Sequence, residues 1–119
     1  MATFTETFDK YVCVGDSVSV DVNGFTVEAR LEHDPDTHLD DYDCYDDAAR
    51  KAWLNDDWFF GSVVLAVLKN DVVLDEHAAS LSGVDVNFPG SDNSYLTDVA
   101  NELLDEALVE GRAVLARLV

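Results

Sequence analysis

"SVSVDVNGFTVEARLEH", residues 17–33, carries the clearest structural signal in the chain. Val18, Val20 and Val22 alternate with Ser19 and Asp21, and Val27, Ala29 and Leu31 alternate with Thr26, Glu28, Arg30 and Glu32. A period of two places every apolar side chain on one face of a strand and every polar one on the other. Between the runs, Asn23-Gly24 offers two residues that accept positive φ, which a type I′ turn requires at both central positions. The stretch therefore predicts a two-residue β-hairpin with one buried and one wet face.

Working outward, "KYVCV" at 10–14 predicts a preceding strand, with Gly15-Asp16 as its turn. A second hairpin is expected at 58–81. Its first arm, 62–68, is apolar at nearly every position, as in a central strand covered on both sides. Asn70-Asp71 marks the turn. The return arm, 72–81, carries Asp75, Glu76 and His77, a mixture that an edge position or a bulge would explain. "DDAARKAWL", 46–54, predicts a short helix with Asp at its start and Arg50 and Lys51 further along. After "PGSDNS" at 89–94, residues Leu96, Val99, Ala100, Leu103, Leu104, Ala107 and Leu108 recur at helical spacing, and Val114, Leu115 and Leu118 resume the stripe beyond Gly111.

The fold class that satisfies these segments is α+β: an antiparallel sheet of about five strands, a C-terminal helix on one face and a short helix in the middle. At 119 residues the chain is expected to form one domain, residues 1–119. Val18, Val20, Val22, Val27, Leu31, Val64, Leu96, Val99 and Leu103 should meet in one core. Ala107, being small, should mark the closest helix–sheet contact.

The charge is the feature that bears on function. The net charge is −18, from 25 acidic and 7 basic residues. Nucleic acid and anionic membranes are disfavoured as direct partners, because both are held by clustered Lys and Arg. A basic protein surface, a polycation or a divalent metal is favoured instead. "MATFTETFDK" has no basic stretch leading into an apolar one, so no secretory signal is expected. The longest apolar run, "VVLAVL" at 63–68, is too short to span a bilayer. A cytoplasmic location is the expectation. Cys13 and Cys44 are far apart and outside any C-x-x-C arrangement, which predicts reduced, buried or half-buried thiols, with a disulfide between them as the alternative.

The acids are uneven. "HDPDTHLDDYDCYDD", 33–47, holds seven aspartates and no lysine or arginine. Three readings compete for it: a metal site, a surface that imitates a polyanion, and a solvated loop. A calcium loop fails, because starting from Asp34 the fifth position is His38 and the sixth is Leu39, where glycine is needed. Starting from Asp41 it fails at Tyr45 and Asp46. A looser divalent site at Asp36, Asp40 and Asp41 has no defining pattern. His33, His38 and Cys44 lack the short spacing of a structural zinc site. No cofactor is expected. Catalysis is not expected either. Neither cysteine has basic neighbours to favour its thiolate, and the six glycines are dispersed rather than gathered in a phosphate loop.

The surface reading assigns partner contacts to Asp36, Asp40, Asp41, Asp43, Asp46 and Asp47, continued by Asp56 and Asp57. Tyr42, Tyr45 and Trp53 or Trp58 would be aromatic anchors. On the C-terminal helix Asp98, Glu102 and Glu106, with Asp105 beside them, repeat about every 6 Å along the axis, comparable within a factor of about two to the phosphate repeat along one DNA strand. An exposed, solvated helix face has the same pattern. The aromatic residues of 42–60 also have a structural reading, in which Trp53 and Phe59 or Phe60 cap one end of the core.

The C-terminal half resembles a group of short phage and plasmid proteins. In them a hairpin ends in S-L-W-G followed by Ile or Val and an acid, and a helix of the form Y-L-x-x-V-A-x-E-L comes next. Here the first element reads Ser80-Leu81-Ser82-Gly83-Val84-Asp85, with Ser82 where tryptophan is usual. The second reads Tyr95-Leu96, Val99-Ala100 and Glu102-Leu103. This likeness implies origin in a mobile element. In size and charge the chain is also similar to phage-encoded DNA mimics, the anti-restriction and anti-CRISPR inhibitors. That likeness implies an inhibitor working in the host cytoplasm on a basic nucleic-acid-binding protein. Two other classes share the composition. A halophilic protein would be rich in Asp and poor in Lys, as here with 18 and three. A phage assembly module would use the aromatics as its interface. A halophile should charge every exposed face, whereas a mimic should concentrate its charge.

Overall fold

The computed structural model describes residues 2–118. The opening hairpin is formed as its sequence pattern predicts. Strands β1 (Ser17–Val22) and β2 (Phe25–His33) are joined by Asn23 and Gly24, with φ of 51° and 84°. Strands β3 (Phe59–Lys69) and β4 (Val72–Val86) form the second hairpin, turned by Asn70 and Asp71, both at positive φ. Among the described residues the sheet has four strands, in the order β1-β2-β3-β4, every neighbouring pair antiparallel. The register pairs Val20 with Val27, then Val27 with Val67, Ala29 with Leu65 and Leu31 with Val63. All of these side chains therefore point to one face.

Helix α2 (Ser94–Leu118) covers that face. It runs through Gly111 without a break. Leu96, Val99, Ala100, Leu104, Ala107 and Leu108 are buried against Val27, Leu31, Val63, Leu65 and Val67. Leu104 is fully buried, whereas Leu103 lies at the margin. Ala107 is fully buried, and one turn further on Gly111 also approaches the sheet closely. A Cβ at Gly111 would lie 2.5 Å from Val67 Cγ1. A glycine in mid-helix costs about 1 kcal/mol against alanine, and close approach to the sheet is what requires it here.

Residues 10–14 do not form a fifth strand. Val12 exchanges both backbone bonds with a side chain instead: its N–H donates to Asn87 Oδ1 and its carbonyl accepts from Asn87 Nδ2, each at 2.8 Å. Gly15-Asp16 does turn the chain, docking on β2 through Gly15 N to Leu31 O and Leu31 N to Asp16 O. The segment before it is a strap that the sequence pattern gave no sign of. Phe4, Phe8 and Val12 are buried, four residues apart. Phe4 N donates to Asn101 Oδ1 and Phe8 N to Thr97 Oγ1 on α2. Glu6 Oε1 accepts from Ser19 N on β1, so a charged side chain covers that sheet edge.

β4 is the other edge. It has 15 residues against 11 in β3, and three register shifts absorb the excess. The stretch Asp75–Glu76–His77 falls among them, which accounts for its mixed polarity. β3 is central and buried on both sides, as expected, but the two sides differ. Val63, Leu65 and Val67 lie under α2, while Val64 and Ala66 are buried on the reverse face, outside the core that α2 covers. Arg30, beside Val64 on β2, crosses β3 to donate from Nη2 to Glu76 O on β4 at 3.1 Å, and its Nε pairs with Glu32 at 2.6 Å. Its aliphatic stem shields apolar surface while its charged head stays partnered.

A smaller core fills one end of the reverse face. Leu39, Trp58 and Phe60 are buried there, with Tyr45, Trp53, Ala52 and Phe88 packed around them. Alternation explains the placement: Gly61 points toward Leu31 and Val86 in the main core, so Phe60 points away from it. Over this second core lie a single 3-10 turn (Leu39–Asp41) and helix α1 (Asp47–Leu54). Among the described residues no helix is long and apolar enough to cross a membrane.

Candidate protein-binding surface and adjoining cavity

The acidic run leaves the sheet at the end of β2 and is locked at once by a buried carboxylate. Asp34 Oδ1 accepts from Asp36 N at 3.0 Å, and Oδ2 accepts from Thr37 Oγ1 at 2.5 Å and Gly83 N at 2.8 Å. Burial opposes its ionisation, but the Thr37 hydroxyl and the N–H groups of Asp36, Gly83 and Thr37 together outweigh burial and hold its pKa below the usual range. Gly83 sits at φ +73°, and opposite it one β3 residue, Ser62, faces two β4 residues. This bulge turns a β4 amide toward Asp34, and the loop is thereby tied to the sheet. The signal for this lock was the Asp-Pro-Asp-Thr sequence, which favours an Asx-type turn.

The next turns are capped by their own acids. His38 N donates to Asp41 Oδ2 at 2.8 Å, and Asp40 N donates to His38 Nδ1 at 3.1 Å. Asp46 is the N-cap of α1, accepting from Ala49 N at 2.8 Å. Arg50, one turn further along α1, reaches back to Asp40 at 3.3 Å.

All eight acids assigned to this run and its continuation are exposed: Asp36, Asp40, Asp41, Asp43, Asp46, Asp47, Asp56 and Asp57. They fall into two groups. Asp40, Asp41 and Asp46 have structural tasks, as partner of Arg50 and as caps. Among the described residues, the carboxylates of Asp36, Asp43, Asp47, Asp56 and Asp57 have no hydrogen-bond or ion-pair partner within the chain. An uncompensated group of this kind keeps its full charge for a partner.

The aromatics divide in the same way. Trp58 is buried, with its indole N–H donating to Ala49 O at 2.9 Å, so it is no surface anchor. Phe60 is buried beside it, and Tyr45 packs on Trp58, Phe60 and Phe88. Burial pushes the Tyr45 phenol up to about 12, helped by the nearby Asp85 carboxylate. Tyr42, 39 % exposed, and the half-buried Trp53 remain open to a partner. The aromatic cluster is chiefly a second core, with two rings at its margin.

Asp98, Glu102, Asp105 and Glu106 are exposed on α2. α2 covers the main core, and the acidic run covers the reverse face. The sheet therefore separates the two acidic groups, and they do not form one continuous surface. Tyr95, at the start of α2, donates its hydroxyl to the carbonyl of Asp85, so the 80–85 and 95–103 segments touch in space. Cys13 and Cys44 are unbridged and exposed, not buried. Among the described residues no group of three His, Cys, Asp or Glu side chains is placed to hold a metal ion.

Between the Asp34 loop and the end of α1 lies a cavity of about 320 Å³. Trp53, Phe59, Asp34, Asp56, His33 and His38 contribute to its walls. His38 meets Trp53 edge-on at 5.1 Å, and His33 stacks on Phe59 at 6.3 Å. No protein-family model, curated protein or solved structure matches the chain.

Proposed function

We propose that the 33–57 excursion is a docking surface for the Lys- and Arg-lined nucleic-acid channel of another protein. Its target class is a host defence enzyme of the restriction or CRISPR type, and the chain acts as a mobile-element inhibitor. The observation that carries this reading is the group of five exposed carboxylates without partners among the described residues, on an excursion tied down by Asp34. A fixed array of anions replaces phosphates, steers association, and presents nothing to cut or unwind. Tyr42 and Trp53, at the rim, add contacts that lengthen residence.

The test is to convert Asp36, Asp43, Asp47 and Asp57 to Asn together, which leaves the capping acids intact. The folded variant should lose competition with nucleic acid for the target, and parental binding should weaken as salt rises. Retained inhibition by the folded variant would reduce the run to a solvated loop.

One observation favours a second reading, halophilic adaptation. Exposed acids stand on both sides of the sheet, on α2 as well as on the excursion. Circular dichroism separates the two readings: a halophilic chain unfolds below molar salt, and an inhibitor of this kind stays folded in dilute buffer.

A further inference from the structure

We infer that the cavity beside Trp53 binds a guanidinium group, which under the proposed function is an arginine side chain of the partner. The inference rests on that reading only for the source of the arginine. The cavity, at about 320 Å³, is at the small end of the range for ligand sites, which run about 300–1,000 Å³. It has room for one side chain rather than a cofactor. Two acidic residues line it from different elements: Asp34 from the loop after β2, and Asp56 from the turn after α1. Asp34 commits both carboxylate oxygens to Asp36 N, Thr37 Oγ1 and Gly83 N, so it acts on the cavity as a fixed neighbouring charge and leaves the hydrogen-bonding role to Asp56. Asp56 has φ +62°, and its carboxylate has no partner among the described residues.

The remaining walls are aromatic. Trp53 and Phe59 present rings, and each is braced by a histidine. His38 Nδ1 is already occupied by Asp40 N–H, so that ring holds Trp53 in position. Flat rings beside one uncommitted carboxylate and a second, fixed negative charge suit a planar cation that stacks and donates. Guanidinium does both, and an ammonium group is a more strongly hydrated point charge. An anionic ligand would be repelled by both acids.

The experiment is an NMR titration of the full chain with N-acetyl-arginine methylamide, with the corresponding lysine derivative as comparison. Saturable shifts are expected at residues 33–38 and 53–60, with the lysine probe weaker. Trp53→Ala and Asp56→Asn should each weaken the arginine probe about fivefold, the size of one exposed cation–π or charge contact. Asp56→Asn is at an exposed position, so it stays informative should Trp53→Ala fail to fold. Shifts that do not saturate, that spread equally over residues 98–106, or that survive Asp56→Asn unchanged would overturn the inference. The variant with Asn at 36, 43, 47 and 57 should retain the probe within about twofold while losing the basic protein target. A parent chain that binds the probe but competes with no nucleic-acid-binding protein would sink the proposed function and leave the guanidinium site standing.

Discussion

Asn93 donates through Nδ2 to Oδ1 of Asn87 at 2.8 Å, and both residues hold left-handed backbone, with φ of 62° and 61°. Asn93 is fully buried and also accepts from Asn87 N and donates to Lys10 O. Asn87 in turn holds Val12 by both of its backbone groups. Two asparagines thus join the strap to the junction between β4 and α2. Asparagine is suited to the task, because it tolerates αL and carries both a donor and an acceptor.

Asn93→Ala should therefore be among the most damaging single changes. It removes three part-buried hydrogen bonds, each worth about 0.5–1.5 kcal/mol. Asn93→Gly relieves the backbone strain of alanine, about 1–2 kcal/mol, but not the lost bonds. Denaturant melts should rank the parent above Gly and Gly above Ala.

Gly111→Ala opposes two effects of known sign. Helix propensity favours alanine by about 1 kcal/mol, but the new methyl meets Val67 Cγ1 at 2.5 Å. Overpacking costs about 1–3 kcal/mol in a filled core, so the variant should be less stable than the parent. Adding Val67→Ala should cost less in the Gly111→Ala background than alone, a coupling that a double-mutant cycle measures.

Leu104→Ala should cost about 2–5 kcal/mol, as for a fully buried leucine. Leu103→Ala should cost clearly less, because Leu103 lies at the margin of the core. Equal losses in urea melts would place α2 in a different rotation about its axis.

Acid should loosen the excursion through Asp34. Its folded pKa lies below the unfolded value, so its contribution is fully present above the unfolded carboxylate range and is lost as pH falls through the folded pKa. Asp34→Asn should reduce the acid sensitivity of the Trp58 fluorescence signal. An unchanged acid limb in that variant would remove Asp34 from the account.

Alkali should act through Tyr45. Its phenol is held neutral to about 12 in the folded chain, above its ordinary value of 10.0. A raised pKa means that the folded state keeps its proton longer, so stability falls as pH rises through this interval. Tyr45→Phe should flatten the stability profile between these limits, measured by thermal melts.

Short-range periodicity made most of the secondary structure legible from the residues alone. Strand alternation and two turns of paired positive-φ residues specified both hairpins. A helical stripe specified α2, and an aspartate at 46 specified the start of α1. The exposure of the acids of 36–57 followed from their density, since unpaired charges are not buried. The tertiary structure alone decided the matters that depend on distant pairs. Residues 10–14 carry a strand pattern, but the side chain of Asn87, 75 positions away, takes the backbone bonds of Val12. The close approach at Gly111 depends on where Val67 stands, which no local pattern records. Trp58 and Phe60 went inward, and Tyr42 and Trp53 stayed at the rim, according to which face of β3 the excursion crosses. The acids of α2 and of the loop read as one class in the sequence and lie on opposite sides of a sheet in space. Periodicity fixes which face of its own element a residue occupies, and only packing fixes what that face meets.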